Sequence, residues 1–223
     1  MSNAEFASLS IKNETEMLKI LKYGKTNTFL ITSGNSSILI DTDWAGTLPM
    51  FFKEIKKHGV TAKSIKYMLI THYHPDHMGI VGELQKLGIQ LVVMDIQKNY
   101  LHSSDRIFKR ENQGGYVPIE DEKVLTLSCE ESRSFLKKMN IDGEIIHTPG
   151  HSDDSISIIL DAGIAIVGDL YTLDTITAYN DDILNGSWNK ILSRNINKVY
   201  YGHAKEKNLC GVHSVDDFMR KDD

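Results

Sequence analysis

Thr71-His72-Tyr73-His74-Pro75-Asp76-His77 is the stretch on which the reading of this chain turns. It follows Tyr67-Met-Leu-Ile-Thr71, a short apolar run with the pattern of a buried strand. His72 and His74 are two residues apart, so on an extended segment both rings point to one side. Pro75 cannot continue a sheet ladder and suits the first turn of a helix. Met78–Leu87 then reads as a helix stopped by Gly88. One strand-to-helix corner thus offers three imidazoles and a carboxylate. Imidazole nitrogen and carboxylate oxygen suit Zn²⁺, with Fe and Mn as further candidates. Four such ligands hold one metal ion or share two. A lone loop histidine is ordinarily just solvated; H-x-H-x-D-H after an apolar strand is a far more specific signal.

Working outward, Thr28–Thr32 and Ser37–Asp41 read as strands joined by a hairpin at Gly34-Asn35. Residues 48–58 carry apolar positions at helical spacing and stop at Gly59. Ile89–Met94 is another buried-strand pattern. This alternation predicts layered α/β structure. Asp95–Arg110 reads as helical, Glu111–Pro118 as a loop, Lys123–Leu127 as a short strand and Glu130–Met139 as a helix. Glu144–His147, Ser155–Leu160 and Ile164–Val167 read as strands, with a turn at Asp161-Ala162-Gly163 between the last two. Ser187–Leu192 is a helix, Lys198–Tyr201 a strand and Ser214–Arg220 a closing helix. There is no fixed-period repeat and no low-complexity linker, so residues 1–223 are expected to form a single domain, with 95–143 an insertion serving the substrate site.

Composition narrows the function classes. Of 223 residues, 41% are hydrophobic and 25% charged, which is ordinary for a folded soluble chain. Lys+Arg total 25 against Asp+Glu 30, a net charge of −5, which argues against a surface built wholly for nucleic acid. Two cysteines, Cys129 and Cys210, make no disulfide framework and fit a reducing, cytoplasmic setting. No apolar run is long enough for a membrane span. The first residues lack the basic-then-apolar pattern of a secretory signal, the alternative being that Ser2-Asn3-Ala4 is a cloning remnant standing in place of a native leader. The expected partner is a small-molecule substrate, with neither nucleic acid nor membrane.

Three further candidates stand at strand ends: His151 in Thr148-Pro-Gly-His-Ser152, Asp169 in Gly168-Asp-Leu170, and His203 in Tyr201-Gly-His203. A glycine beside each lets the backbone turn sharply or approach closely. Singly each is weak; together, beside the histidine cluster, they are strong.

These motifs, in order and spacing from about Thr28 to His203, resemble those of the metallo-β-lactamase-fold hydrolase superfamily, as a small stand-alone member. Asp41, in Ile40-Asp41-Thr42-Asp43, resembles its first motif, whose acid supports the metal loops. The resemblance implies a four-layer αββα sandwich of two mixed sheets flanked by helices. It implies two divalent ions, most simply Zn²⁺, with Mn²⁺ or Fe as alternatives. His72, His74 and His151 would hold one ion; Asp76, His77 and His203 the other; Asp169 would bridge them. Asp76 would also orient a bridging hydroxide and shuttle the proton to the leaving group.

The departures narrow the substrate. Asp169 stands where a well-known class of secreted zinc β-lactamases has Cys, and only twenty residues follow His203, too few for the helical domain of glyoxalase II. The inserted domain of the nuclease branch is missing, and so is the flavodoxin domain of the di-iron branch. Ser152-Asp153-Asp154-Ser155 departs from the commoner Thr/Ser-x-Gly-Ser and is expected to alter the ligands' surroundings without touching a ligand. Tyr171 lies near, but not at, the place of a substrate-facing tyrosine in the acyl-homoserine lactonases, and Arg106 is a candidate clamp for a carboxylate or phosphate. The reading is a lactone, ester or thioester hydrolase. The alternatives are a phosphodiesterase on the same site and an iron-dependent oxidoreductase acting on a persulfide or dioxygen.

Overall fold

β1 (Leu18–Leu21), β2 (Thr28–Ser33) and β3 (Ser36–Ile40) pair antiparallel in sequence order, and β4 (Ile65–Leu69) joins β3 in parallel. The computed structural model describes residues 17–111, 115–179 and 181–220. Ser2-Asn3-Ala4 and part of the expected loop at 111–118 lie outside the described residues. The chain forms two compact units. Among the described residues, one comprises those from 17–70, 75–92 and 104–125, and the other those from 71–74, 93–103 and 126–220.

The first unit is built on a six-stranded sheet, completed by β5 (Gln90–Met94), parallel to β4, and β6 (Val124–Leu127). The hairpin turn falls at Gly34-Asn35 as expected, closed by the Ser33–Ser36 pair, with Gly34 at φ +58°. α1 (Leu48–Lys57) starts with Pro49 in its first turn and ends at Gly59. There the Gly59 N–H donates to Lys56 O and the Val60 N–H to Ile55 O, which closes the last turn around a left-handed glycine.

The expected helix Met78–Leu87 is instead two pieces, α2 (Pro75–Met78) and α3 (Val81–Lys86). The break has a tertiary cause. The Gly79 N–H donates to Asp43 O at 3.0 Å, and a Cβ on Gly79 would lie 2.2–2.5 Å from the backbone of Asp43–Ala45. The helix yields at its glycine so that α2 can dock on the loop after β3. Asp95–Arg110 likewise divides into a 3₁₀ segment at Asp95–Tyr100 and α4 (Asp105–Arg110).

The second unit holds a five-stranded mixed sheet. Its order is β11 (Lys207–Asn208), β10 (Lys198–Tyr200), β9 (Ile164–Ile166), β8 (Ile156–Leu160) and β7 (Gly143–His147). Only β9 and β10 run parallel. α5 (Cys129–Lys137) begins with a capping box, Ser128 Oγ accepting from the Glu131 N–H and Glu131 Oε2 from the Ser128 N–H. A short helix, α6 (Ile176–Tyr179), precedes α7 (Asp182–Leu192), and α8 (Val215–Met219) closes the chain. α7 starts five residues before the expected Ser187 because Asp181 caps the Ile183 and Leu184 N–H groups. Its inner face buries Leu184, Trp188, Ile191 and Leu192 in a core with Val167, Leu170, Val199 and Tyr201. Among the described residues no helix is long and apolar enough to cross a membrane.

Candidate metal centre

In the first unit, Asp41 leaves β3 in the left-handed region at φ 60°, a conformation aspartate tolerates better than most residues. That turn sends its N–H to Leu69 O at 2.9 Å and its Oδ2 to 2.9 Å from His77 Nδ1, both side chains fully buried. A carboxylate there accepts a hydrogen bond from Nδ1–H, which leaves Nε2 as the lone-pair nitrogen of His77. α2 is held along its length. Thr42 donates twice to His77 O, through its N–H and its hydroxyl, and the Thr26 hydroxyl donates to Asp76 O at 2.7 Å. Asp43 braces the same loop by accepting from the Thr26 and Trp44 N–H groups.

The second unit brings together five of the candidates: His72, His74, His151, Asp169 and His203. His74 Nδ1 lies 3.1 Å from His72 Nε2 and 3.1 Å from His151 Nε2, and the three rings stand roughly edge-on to one another. Asp169 Oδ2 lies 4.0 Å from His72 Nε2, 3.9 Å from His151 Nε2 and 3.5 Å from His203 Nε2. The donor set fits a metal ion. A ring nitrogen has one proton or one lone pair, so His74 Nδ1 cannot make two good hydrogen bonds to the facing nitrogens. A cation among them engages all three lone pairs at once. Ligand nitrogens about 2.0–2.1 Å from a tetrahedral zinc lie about 3.3 Å apart, close to the spacing seen here.

Local contacts and glycine turns after the strands orient these candidate side chains. The Thr71 hydroxyl lies 3.2 Å from His72 Nδ1 and fixes that ring from behind. Gly150 takes φ +141° ahead of His151, and Gly168 takes φ +58° ahead of Asp169. A Cβ on Gly168 would lie 2.4 Å from Thr71 Oγ1. Gly168→Ala is therefore expected to cost about 1–3 kcal/mol from backbone conformation alone and to lower the metal content per chain by displacing Thr71. Thermal melts and elemental analysis check this; wild-type values in both would refute it.

His151, Asp169 and His203 open onto a cavity of about 370 Å³ whose further walls include Tyr171, Thr172, Thr175, Tyr179 and Tyr201. Tyr171 stands edge-on to His151 at 5.9 Å between ring centroids and stacks on Tyr179 at 4.3 Å. Burial pushes the Tyr201 phenol well above its ordinary range, so that phenol stays protonated. No Lys or Arg is among the described residues lining the cavity. Arg106 is exposed on α4 in the first unit. Sequence reading missed Tyr179, which carries no motif, and the support given to the ligand loops by Gln97.

A family model described as the metallo-β-lactamase superfamily matches residues 21–203. The chain belongs to that superfamily. A probable metallo-hydrolase of Methanocaldococcus jannaschii is 29% identical over 204 residues, 85% of this chain and 93% of that protein. An atrochrysone carboxyl ACP thioesterase of Aspergillus terreus is 28% identical over 141 residues, which are 61% of this chain and 35% of that longer protein. Among solved structures, the BLEG-1 B3 metallo-β-lactamase is 22% identical with a TM-score of 0.67, covering 92% of this chain and 97% of its own. A Thermotoga maritima protein described as a putative metallo-β-lactamase is 20% identical with a TM-score of 0.62, covering 86% of this chain and 98% of its own. These likenesses show the fold, the αββα sandwich that the motifs implied. Membership of this superfamily, together with histidine and aspartate clusters able to hold metal ions, supports a metal-dependent hydrolase.

Proposed function

We propose that this protein is a zinc-dependent hydrolase that cleaves an acyl bond, a thioester, ester or lactone, at a centre of two metal ions. The observation that carries the reading is the convergence of His72, His74 and His151 at 3.1 Å spacings, with the Asp169 carboxylate beside them. His72, His74 and His151 would hold one ion; Asp76, His77 and His203 the other, with Asp169 shared. The ions would supply a hydroxide nucleophile near neutral pH and polarise the scissile carbonyl.

The protein's own residues do the rest. Asp41 holds the His77 ring in the tautomer that leaves Nε2 to ligate. Asp76 orients the attacking oxygen and passes its proton to the departing thiol or alcohol. The Tyr171–Tyr179 stack and the Tyr201 phenol offer an apolar wall beside His151. A phosphodiester would call for a cationic clamp, and the described lining of this cavity has no Lys or Arg. An acyl group therefore fits better than a phosphodiester, in keeping with the thioesterase among the relatives.

The test is elemental analysis of protein expressed without added metal, followed by assays on acyl thioesters, aryl esters and bis-aryl phosphodiesters. About two zinc ions per chain with turnover of the acyl substrates is the expected result. Predominant iron with oxygen consumption would replace this reading with an oxidoreductase, and preference for phosphodiesters would replace it with a phosphodiesterase.

A further inference from the structure

Tyr73, the residue between the ligands His72 and His74, is anchored from both sides of its peptide. Its N–H donates to Asp154 Oδ2 at 2.7 Å, and its carbonyl accepts from the Ser103 hydroxyl at 3.2 Å. Asp154 lies three residues after His151, and its side chain is 3% exposed. The Asp154 carbonyl accepts from Gln97 Nε2 at 3.0 Å, and the same amide nitrogen lies 3.4 Å from Thr71 O, next to His72. Gln97, fully buried, is itself fixed by accepting from the Met94 N–H at Oε1. The Ile156 N–H donates to Thr71 O at 2.9 Å and completes the ring of contacts. The loop that carries His72 and His74 is thus tied to the loop that carries His151 by two buried side chains, neither of which offers an atom to the metal.

A buried carboxylate is costly unless hydrogen bonds hold it, so its presence here calls for a role. The commoner form of the motif has glycine where this chain has Asp154, and glycine offers the Tyr73 N–H no side-chain acceptor. A bond from an amide to a carboxylate is stronger and shorter than one between neutral groups. It orders the ligand loops during folding, so that less order has to be imposed when the metal binds.

We propose that Asp154, together with Gln97, is a positioning residue that sets His72, His74 and His151 in ligating register before metal arrives. The proposal rests on the reading of these three histidines as a metal triad. Its test is the zinc affinity of the full chain, measured by competition with a chromophoric chelator. Asp154→Ala is expected to weaken zinc binding about 10- to 100-fold. Asp154→Asn, whose amide oxygen can still accept from the Tyr73 N–H, is expected to recover most of the loss. Ile158→Val, a core change on β8 at a residue outside this ring of hydrogen bonds, is expected to leave affinity unchanged and controls for general loosening. Wild-type affinity in Asp154→Ala, or an equal loss in Ile158→Val, would overturn the clamp. Should Asp154→Ala not fold, Gln97→Met, close in volume but without a donor, carries the test: weakened binding is expected and wild-type affinity would overturn it. A wild-type chain that takes up no zinc would overturn the triad reading itself, a result distinct from a failed clamp.

Discussion

Asp76→Asn is expected to fold, to load with zinc at saturating metal, and to lose turnover by about 10²- to 10⁴-fold, the range for removing a proton-transferring side chain. Asparagine matches aspartate in shape, and the Thr26 hydroxyl bonds the backbone carbonyl of residue 76, a contact that survives the change. α2 likewise keeps Pro75 at its start and the two Thr42 bonds to His77 O. What the amide lacks is chemical: it cannot take a proton from the nucleophile or return one to the leaving group. The measurement is kcat and KM on an acyl thioester, with metal content and melting temperature determined on the same preparation. A fall in kcat with metal content and stability near wild type supports the role. Undiminished turnover with metals bound would remove Asp76 from the mechanism. A loss that tracks lost metal would make Asp76 a ligand only.

Much of this site was legible from the sequence, and the physical reason is locality. His72, His74, Asp76 and His77 sit within one corner, and the spacing itself carries the chemistry. His151, Asp169 and His203 each stand after an apolar run, beside a glycine, so strand ends and turns could be read without knowing what they face. The misses share the opposite property. Asp154 meets Tyr73 across 81 positions, and a single sequence holds no trace of that pairing. The break between α2 and α3 is imposed by the backbone of Asp43–Ala45 against Gly79, while local periodicity favours a continuous helix. β1 has only four residues, too short to show alternation, and β11 only two, Lys207 and Asn208, both polar. Asn185-Gly186 lies inside α7 and masks its true start at Asp182, which the Asp181 cap and the burial of Leu184 and Trp188 secure.

Asp41→Ala carries the second large effect, and it acts on stability before catalysis. The substitution leaves His77 Nδ1 without the carboxylate it meets at 2.9 Å, in a place where neither side chain touches water. Leaving the buried N–H of a neutral imidazole without its acceptor costs about 1–3 kcal/mol. Alanine also has to adopt φ near 60°, where the native residue sits, at about 1–3 kcal/mol. Asp41→Asn separates these causes. Its amide oxygen can still accept from Nδ1, and asparagine tolerates the left-handed backbone, so it should recover most of the stability. It brings no negative charge, so His77 becomes a weaker electron donor, and second-ion affinity is expected to fall by about 10- to 100-fold. Denaturant unfolding of the metal-free proteins reads the first effect, and stepwise zinc titration reads the second. The expected order is wild type, then Asn, then Ala in stability, with both variants weaker than wild type for one zinc ion of the two. Asp41→Ala unfolding at the wild-type midpoint would mean that the Asp41–His77 pair contributes nothing net to the fold. Unchanged zinc affinity in Asp41→Asn would confine Asp41 to holding the β3–α2 junction, with no part in tuning the metal.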